Sequence, residues 1–259
     1  MKCHVPGNGY RWKRNKLMVI EPIGRLNIFE PHDGLFRHFA TVAPDKEGIL
    51  EFANRYGDLY TQSKETFTKT GIEYDSGSLG EWKSQIELMQ CTVELWDAID
   101  RNNQAKLREY IKWGKSDMSR LGESTIVYQY SKNDEPIHIA DTGDYKYRHG
   151  ELIRPAMLHV VNVINMQLAP DPYVGDHLIQ VHPFLTWDGN SDNRPILSTH
   201  SLTLIGELWL QFARIVSTGY KHKTCKECGK YFLVEPKPGP TQLYCSPTCR
   251  VRNHRRGKQ

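Results

Sequence analysis

Four of the chain's six cysteines fall within its last thirty-five residues, as "CKECGKYF" from Cys225 to Phe232 and "CSPTCRVRNHRR" from Cys245 to Arg256, giving the spacing C-x2-C-x16-C-x3-C. Two thiolate pairs at such spacing converge on one tetrahedral ion more readily than they pair as disulfides in a reducing compartment. The compartment is therefore the next question. Charges are spread through the first residues with no apolar run of signal-peptide length, and nowhere do about eighteen apolar residues run together. The expectation is a cytoplasmic protein with no membrane partner, and hence Cys225, Cys228, Cys245 and Cys249 as ligands of one structural Zn2+. Disulfides or free thiols are the alternatives. Of the remaining cysteines, Cys91 lies in a helical pattern and reads as a small buried apolar residue, and Cys3 as part of a mobile terminus.

Magnitude favours metal. The segment 221–259 has Phe232, Leu243 and Tyr244 as its apolar core, too little to fold alone, whereas a structural zinc contributes about 10–16 kcal/mol at neutral pH. Four thiolates close the coordination sphere, so such a zinc is architectural and not catalytic. Gly229 follows the first pair where a turn needs positive φ. "KYFLV" and "TQLYC" read as a hairpin around the Pro-rich "EPKPGP", and Ser246 and Pro247 open a terminal helix with Cys249 in its first turn. Turn, hairpin and helix in that order describe a treble clef. His222 and His254 flank the cluster and read as surface or phosphate-contacting groups.

Charge separates this tail from the rest. Residues 221–259 hold ten lysines and arginines against Glu227 and Glu235, a net +8; with +4 for the whole chain, residues 1–220 carry −4. Beyond Cys249, Arg250, Arg252, His254, Arg255, Arg256 and Lys258 crowd onto one short helix and its end. Guanidinium forks match phosphate oxygens, so a nucleic-acid backbone, DNA first, is the expected partner. Four to six such contacts on a duplex give a slope of log K against log salt of about −4 to −5. Alternatives are a solvated tail without a partner, an intramolecular clamp on the acidic body, and an acidic surface of another protein.

The 1–220 body reads as a mostly α-helical domain with a few strands or a hairpin, so that the whole chain is α+β with a small zinc module at 221–259. A helix is expected from Pro44 to Gly57. Ser78 and Glu81 make a capping box before Trp82, Ile86, Met89, Val93 and Trp96, which line one helix face. Leu107, Tyr110 and Ile111 suggest a shorter helix that Gly114 ends. "KLMVIEPIG" and "TIVYQY" read as strands, and "HLIQVHPFLTW" with "RPIL" as a hairpin. Pro155 opens a helix carrying Met157, Leu158, Val161, Ile164 and Leu168, closed by Pro170. A last helix holds Leu204, Ile205, Leu208, Trp209, Phe212, Ile215 and Val216, with Gly219 as its left-handed stop. Aromatic and aliphatic residues at helical spacing are read as core.

The sequence "RIVSTGYKHKTCKECGKYFLVE" with "YCSPTCRVRNHRR" resembles the CGNR-type zinc fingers of bacterial proteins, in which an ABATE domain precedes a C-terminal zinc module. Arg250-Val251-Arg252 stands where the naming motif has Gly-Asn-Arg. The resemblance implies a bacterial transcription regulator that binds DNA through the module. The cysteine pattern is also similar to that of small zinc proteins that inhibit DNA gyrase, which implies a protein partner instead. No G-x-S-x-G, P-loop or dinucleotide fingerprint occurs, and His177 and His182 would point to opposite faces of a strand, so catalysis is not expected.

Overall fold

A computed structural model describes residues 3–20, 26–60, 75–115, 124–129, 136–140, 150–168, 181–186, 196–201, 203–219, 221–229, 231–234 and 242–256. The body is mostly helical with small antiparallel sheets, and a cysteine-cluster module with a hairpin follows it. The chain divides into two compact units, Met1–Ile86 with Gln167–Gln259, and Glu87–Met166. The boundary expected at 220 lies inside the first of these. Among the described residues no helix is long and apolar enough to cross a membrane.

In the first unit, helices α1 (Leu35–Phe39), α2 (Lys46–Tyr56), the first turns of α3 (Leu79–Asp100), and α6 (Leu204–Thr218) share an aromatic core. The Phe36 and Phe212 rings stack at 5.1 Å, Phe39 meets Phe52 at 5.2 Å, and both lie beside Trp82. Trp82, Trp209, Phe36, Phe39 and Phe212 are fully buried. Each helix end has a local cause. Asp45 caps α2 by accepting from Gly48 N–H at 2.8 Å, so Pro44 precedes the cap and does not open the helix as expected. Ser78 and Glu81 exchange the two bonds of the capping box, with Ser78 N–H donating to the Glu81 carboxylate at 2.6 Å and Glu81 N–H to the Ser78 hydroxyl at 3.2 Å. Gly219 stops α6 in the left-handed region, φ 67°.

Small sheets pack around these helices. Strand β1 (Cys3–Pro6) pairs with β4 (Leu26–Phe29), and β2 (Tyr10–Lys13), β3 (Lys16–Val19) and β5 (Asp75–Ser78) form a three-stranded sheet. Gly9, at φ 74°, lets the Asn54 side chain approach: a Cβ there would sit 2.4 Å from Asn54 Oδ1, which accepts from Tyr10 N–H at 2.8 Å. Cys3 is opposite Phe29 and fully buried, not in a mobile end as expected, and burial pushes its thiol up to about 12. The hairpin expected after residue 177 is present as β9 (Val181–Thr186) and β10 (Ile196–Ser201); "HLIQ", Trp187 and the Asp188-Gly189 loop lie outside the described residues.

The second unit holds the remainder of α3, then α4 (Gln104–Tyr110), the β6–β7–β8 sheet (Ile111–Lys115, Ser124–Gln129, Pro136–Ala140) and α5 (Ile153–Leu168). Two expectations change here. α4 gives way at Ile111, whose backbone is extended and pairs with Tyr128, so Ile111 to Gly114 is strand and not helix. α5 buries Ala156, His159, Val160, Val163 and Ile164, while Val161 is 36% exposed; of the expected face only Ile164 is fully inside. Pro170 lies outside the described residues.

Candidate metal centre

The module begins where α6 ends. Strand β11 (Lys221–Thr224) pairs antiparallel with β12 (Tyr231–Val234), Thr224 opposite Tyr231, and the first cysteine pair occupies the turn between them. This hairpin differs from the expected one. Its strands flank the Cys225–Cys228 turn, and 242–244 lies outside any strand, tied back by Lys226 N–H donating to Leu243 O at 3.1 Å. Gly229 has the expected positive φ, 70°, and its N–H donates to Cys225 O at 2.9 Å, which closes the turn. Helix α7 (Pro247–Arg256) starts as read: the Ser246 hydroxyl accepts from Cys249 N–H at 3.2 Å and Pro247 is the first helical residue.

These two local structures bring all four sulfurs together, every pair within 4.8 Å. Cys228 and Cys245 Sγ are 3.6 Å apart, as are Cys245 and Cys249. Tetrahedral zinc with bonds of about 2.3 Å places its sulfurs about 3.8 Å apart. A disulfide brings them to about 2.05 Å. The spacing therefore fits four separate ligands of one ion, and all six cysteines are free thiols. Electrostatics support the same use. Burial opposes ionisation of Cys225, but backbone N–H groups of Cys245, Cys228 and Glu227 aimed at its sulfur outweigh it and lower the thiol below its ordinary range. Cys245 moves the other way, raised by burial and by hydrogen bonds to the sulfurs of Cys249, Cys228 and Cys225. A cation in the middle replaces those shared protons.

Around the cluster, Cys225, Phe232 and Cys249 are the buried residues among those described, and Val234, Tyr244 and Cys245 pack half-buried against them. Tyr244 Oη donates to Asn253 Oδ1 at 2.8 Å. Glu227, inside the first turn, has a side chain only 5% exposed, and Arg256 covers it at 3.1 Å.

The basic residues divide accordingly. Cys249, Asn253 and Arg256, at steps of four and three, face the cluster. Arg250, Arg252, His254 and Arg255 are exposed on the remaining arc of α7 with Val251 among them, and among the described residues none has an ion pair or a side-chain hydrogen bond. Lys258 lies outside the described residues. His222 is on β11 opposite Leu233, and His254 is exposed. Sequence reasoning missed Glu227 and Asn253. The seven-residue interval from Cys249 to Arg256, two helical turns, was the available signal that Arg256 faces inward.

No family model, curated protein or solved structure matches the chain. The resemblance to CGNR-type fingers thus reduces to a C-terminal four-cysteine cluster that suggests a zinc module.

Proposed function

We propose that the chain is a zinc-dependent nucleic-acid-binding protein, a bacterial transcription regulator whose C-terminal module docks on the DNA backbone. One structural zinc, held by Cys225, Cys228, Cys245 and Cys249 in a treble-clef-like arrangement, fixes one side of α7. The observation that carries this reading is on the other side, where Arg250, Arg252, His254 and Arg255 fan out exposed and, among the described residues, without an ion pair or side-chain hydrogen bond. Leaving several guanidinium groups unpaired on one short helix is useful where a polyanion supplies the counter-charge. Arg256 is engaged by Glu227. Three arginines remain on α7, so the salt slope on duplex DNA falls to about −3, shallower than the six-residue reading.

The test is a salt titration of full-length, zinc-loaded protein on mixed duplex DNA, beside a variant with Arg250, Arg252 and Arg255 changed to Ala. The expected result is retained zinc with weakened binding and a slope moved toward zero. Unchanged affinity and slope in the variant would count against the proposal. A second reading is favoured by Val251, 44% exposed in the middle of the cationic arc: an acidic protein surface with an apolar centre. Under that reading the purified protein captures its partner after nuclease treatment and shows no salt-dependent DNA binding.

A further inference from the structure

Beside the metal centre, residues 242–247 and Arg250 enclose an open recess of about 400 Å³. That volume is in the range of small-ligand sites. Tyr244 contributes an aromatic side chain that is held at two points. It packs half-buried on the Cys225–Phe232–Cys249 cluster and its hydroxyl donates to Asn253 Oδ1 on α7 at 2.8 Å, while its backbone carbonyl accepts from Gln242 Nε2 at 3.0 Å. Leu243, 39% exposed, has its carbonyl bound to Lys226 N–H, so the chain at the rim is fixed while the side chain stays in solvent. Arg250 also lines the recess, exposed and without an ion pair among the described residues. It is also the first cation of the α7 arc.

Some polar groups of the recess hold the local fold. Ser246 accepts from Cys249 N–H through its hydroxyl and from Arg250 N–H through its carbonyl, and one N–H of the Gln242 amide donates to the Tyr244 carbonyl. A ligand here meets the Tyr244 side chain, the apolar Leu243 and Pro247 and one cation. Every nucleobase has a π-face and an adjacent phosphate, and such a site accepts it without regard to sequence.

We infer that this recess receives one unpaired base of a nucleic-acid strand, stacked on Tyr244 with its phosphate at Arg250, so that the module prefers strands with unstacked bases to intact duplex. The inference rests on the reading that α7 binds phosphates. It adds a contact that a backbone-only binder lacks.

Fluorescence anisotropy on full-length, zinc-loaded protein tests it with three probes of about twelve nucleotides at one salt concentration: oligothymidylate, an abasic strand with the same backbone, and a duplex. Expected is about tenfold tighter binding of oligothymidylate than of the abasic strand, with Tyr244→Leu reducing the first to the level of the second and Tyr244→Phe preserving the difference. Because Tyr244→Leu can loosen the metal centre, photocrosslinking of a 5-iodouracil strand to the unmodified protein gives an independent location, expected within 242–250. Equal affinity for thymidylate and abasic strands, a preference that survives Tyr244→Leu, or crosslinks confined to other segments overturns the inference while leaving backbone binding intact. If no probe binds, or the triple arginine variant binds all three equally well, the underlying nucleic-acid reading fails as well.

Discussion

The aromatic core of the body and the core of the cysteine module solve the same problem with different means. Around Phe36, Phe39, Trp82, Trp209 and Phe212, large side chains are fully buried and touch ring to ring. Among its described residues the module buries one large apolar side chain, Phe232, beside two cysteines. Burying a Phe contributes about 1.5–3 kcal/mol, and ordering each residue costs about 1–2 kcal/mol of backbone entropy, so a single such side chain cannot fix a hairpin and a ten-residue helix. On the zinc reading proposed above, coordinate bonds supply the remainder. The comparison teaches where surface freedom comes from: a helix anchored at Cys249 by metal needs little apolar area of its own, and the rest of its circumference can carry cations.

The largest effect that can break this contrast is metal removal. A structural zinc is worth about 10–16 kcal/mol at neutral pH. Chelation, or Cys225→Ser, is expected to abolish amide-exchange protection at the module's hydrogen-bonded amides, among them Lys226, Cys249 and Arg250, while α6 between Leu204 and Ile215 keeps its protection. Hydrogen-exchange mass spectrometry reads both at once. Protection that persists in the metal-free module would mean that its small core suffices and that the contrast is false.

The converse perturbation belongs in the body. Phe212 is fully buried, stacked on Phe36 and 6.2 Å from Trp209, and Phe212→Ala is expected to cost about 3–5 kcal/mol. Denaturant unfolding followed by Trp fluorescence measures the loss. Zinc stoichiometry should stay at one per chain under native conditions. Loss of zinc along with body stability would show that the two cores are one cooperative structure.

What the sequence made legible follows the reach of the forces involved. The capping box of Ser78 and Glu81, the left-handed Gly219 and the Ser246 cap are set by chemistry within a few residues, and each is found where it was expected. The four ligands share this property, because both cysteine pairs are local turns. The hairpin of the module was misread because "KHKT" carries no strand signal of its own; β11 pairs with β12 since the Cys225–Cys228 turn reverses the chain between them. On α5 two apolar stripes compete, and the small residues Ala156 and Val160 are buried in preference to Met157 and Val161. Cys3 gave no periodicity to read, and its burial depends on pairing with Phe29, far along the chain. The recess at Tyr244 likewise has no signature, being lined by a short irregular segment that leads into a helix.

The smallest expected effect sharpens the contrast at a single ion pair. Arg256 was read with the phosphate-binding group, yet it faces Glu227, whose carboxylate is 5% exposed beside a centre that is net −2 when four thiolates hold one divalent ion. Removing the guanidinium leaves that carboxylate without this counter-ion beside the anionic centre, and groups in this outer position typically change metal affinity by about 10–100-fold. Because the Arg256 side chain is 75% exposed, solvent screens the pair, and Arg256→Ala should fall at the low end, about tenfold weaker zinc binding in a competition with a chromophoric chelator. Adding Glu227→Gln removes the stranded charge and should recover most of the loss, which a double-mutant cycle resolves. At saturating zinc the same Arg256→Ala variant should retain the DNA salt slope, whereas Arg250→Ala lowers its magnitude by about one. A slope that drops equally in both variants would put Arg256 on the nucleic-acid side of the helix and erase the division between an anchored face and a free one.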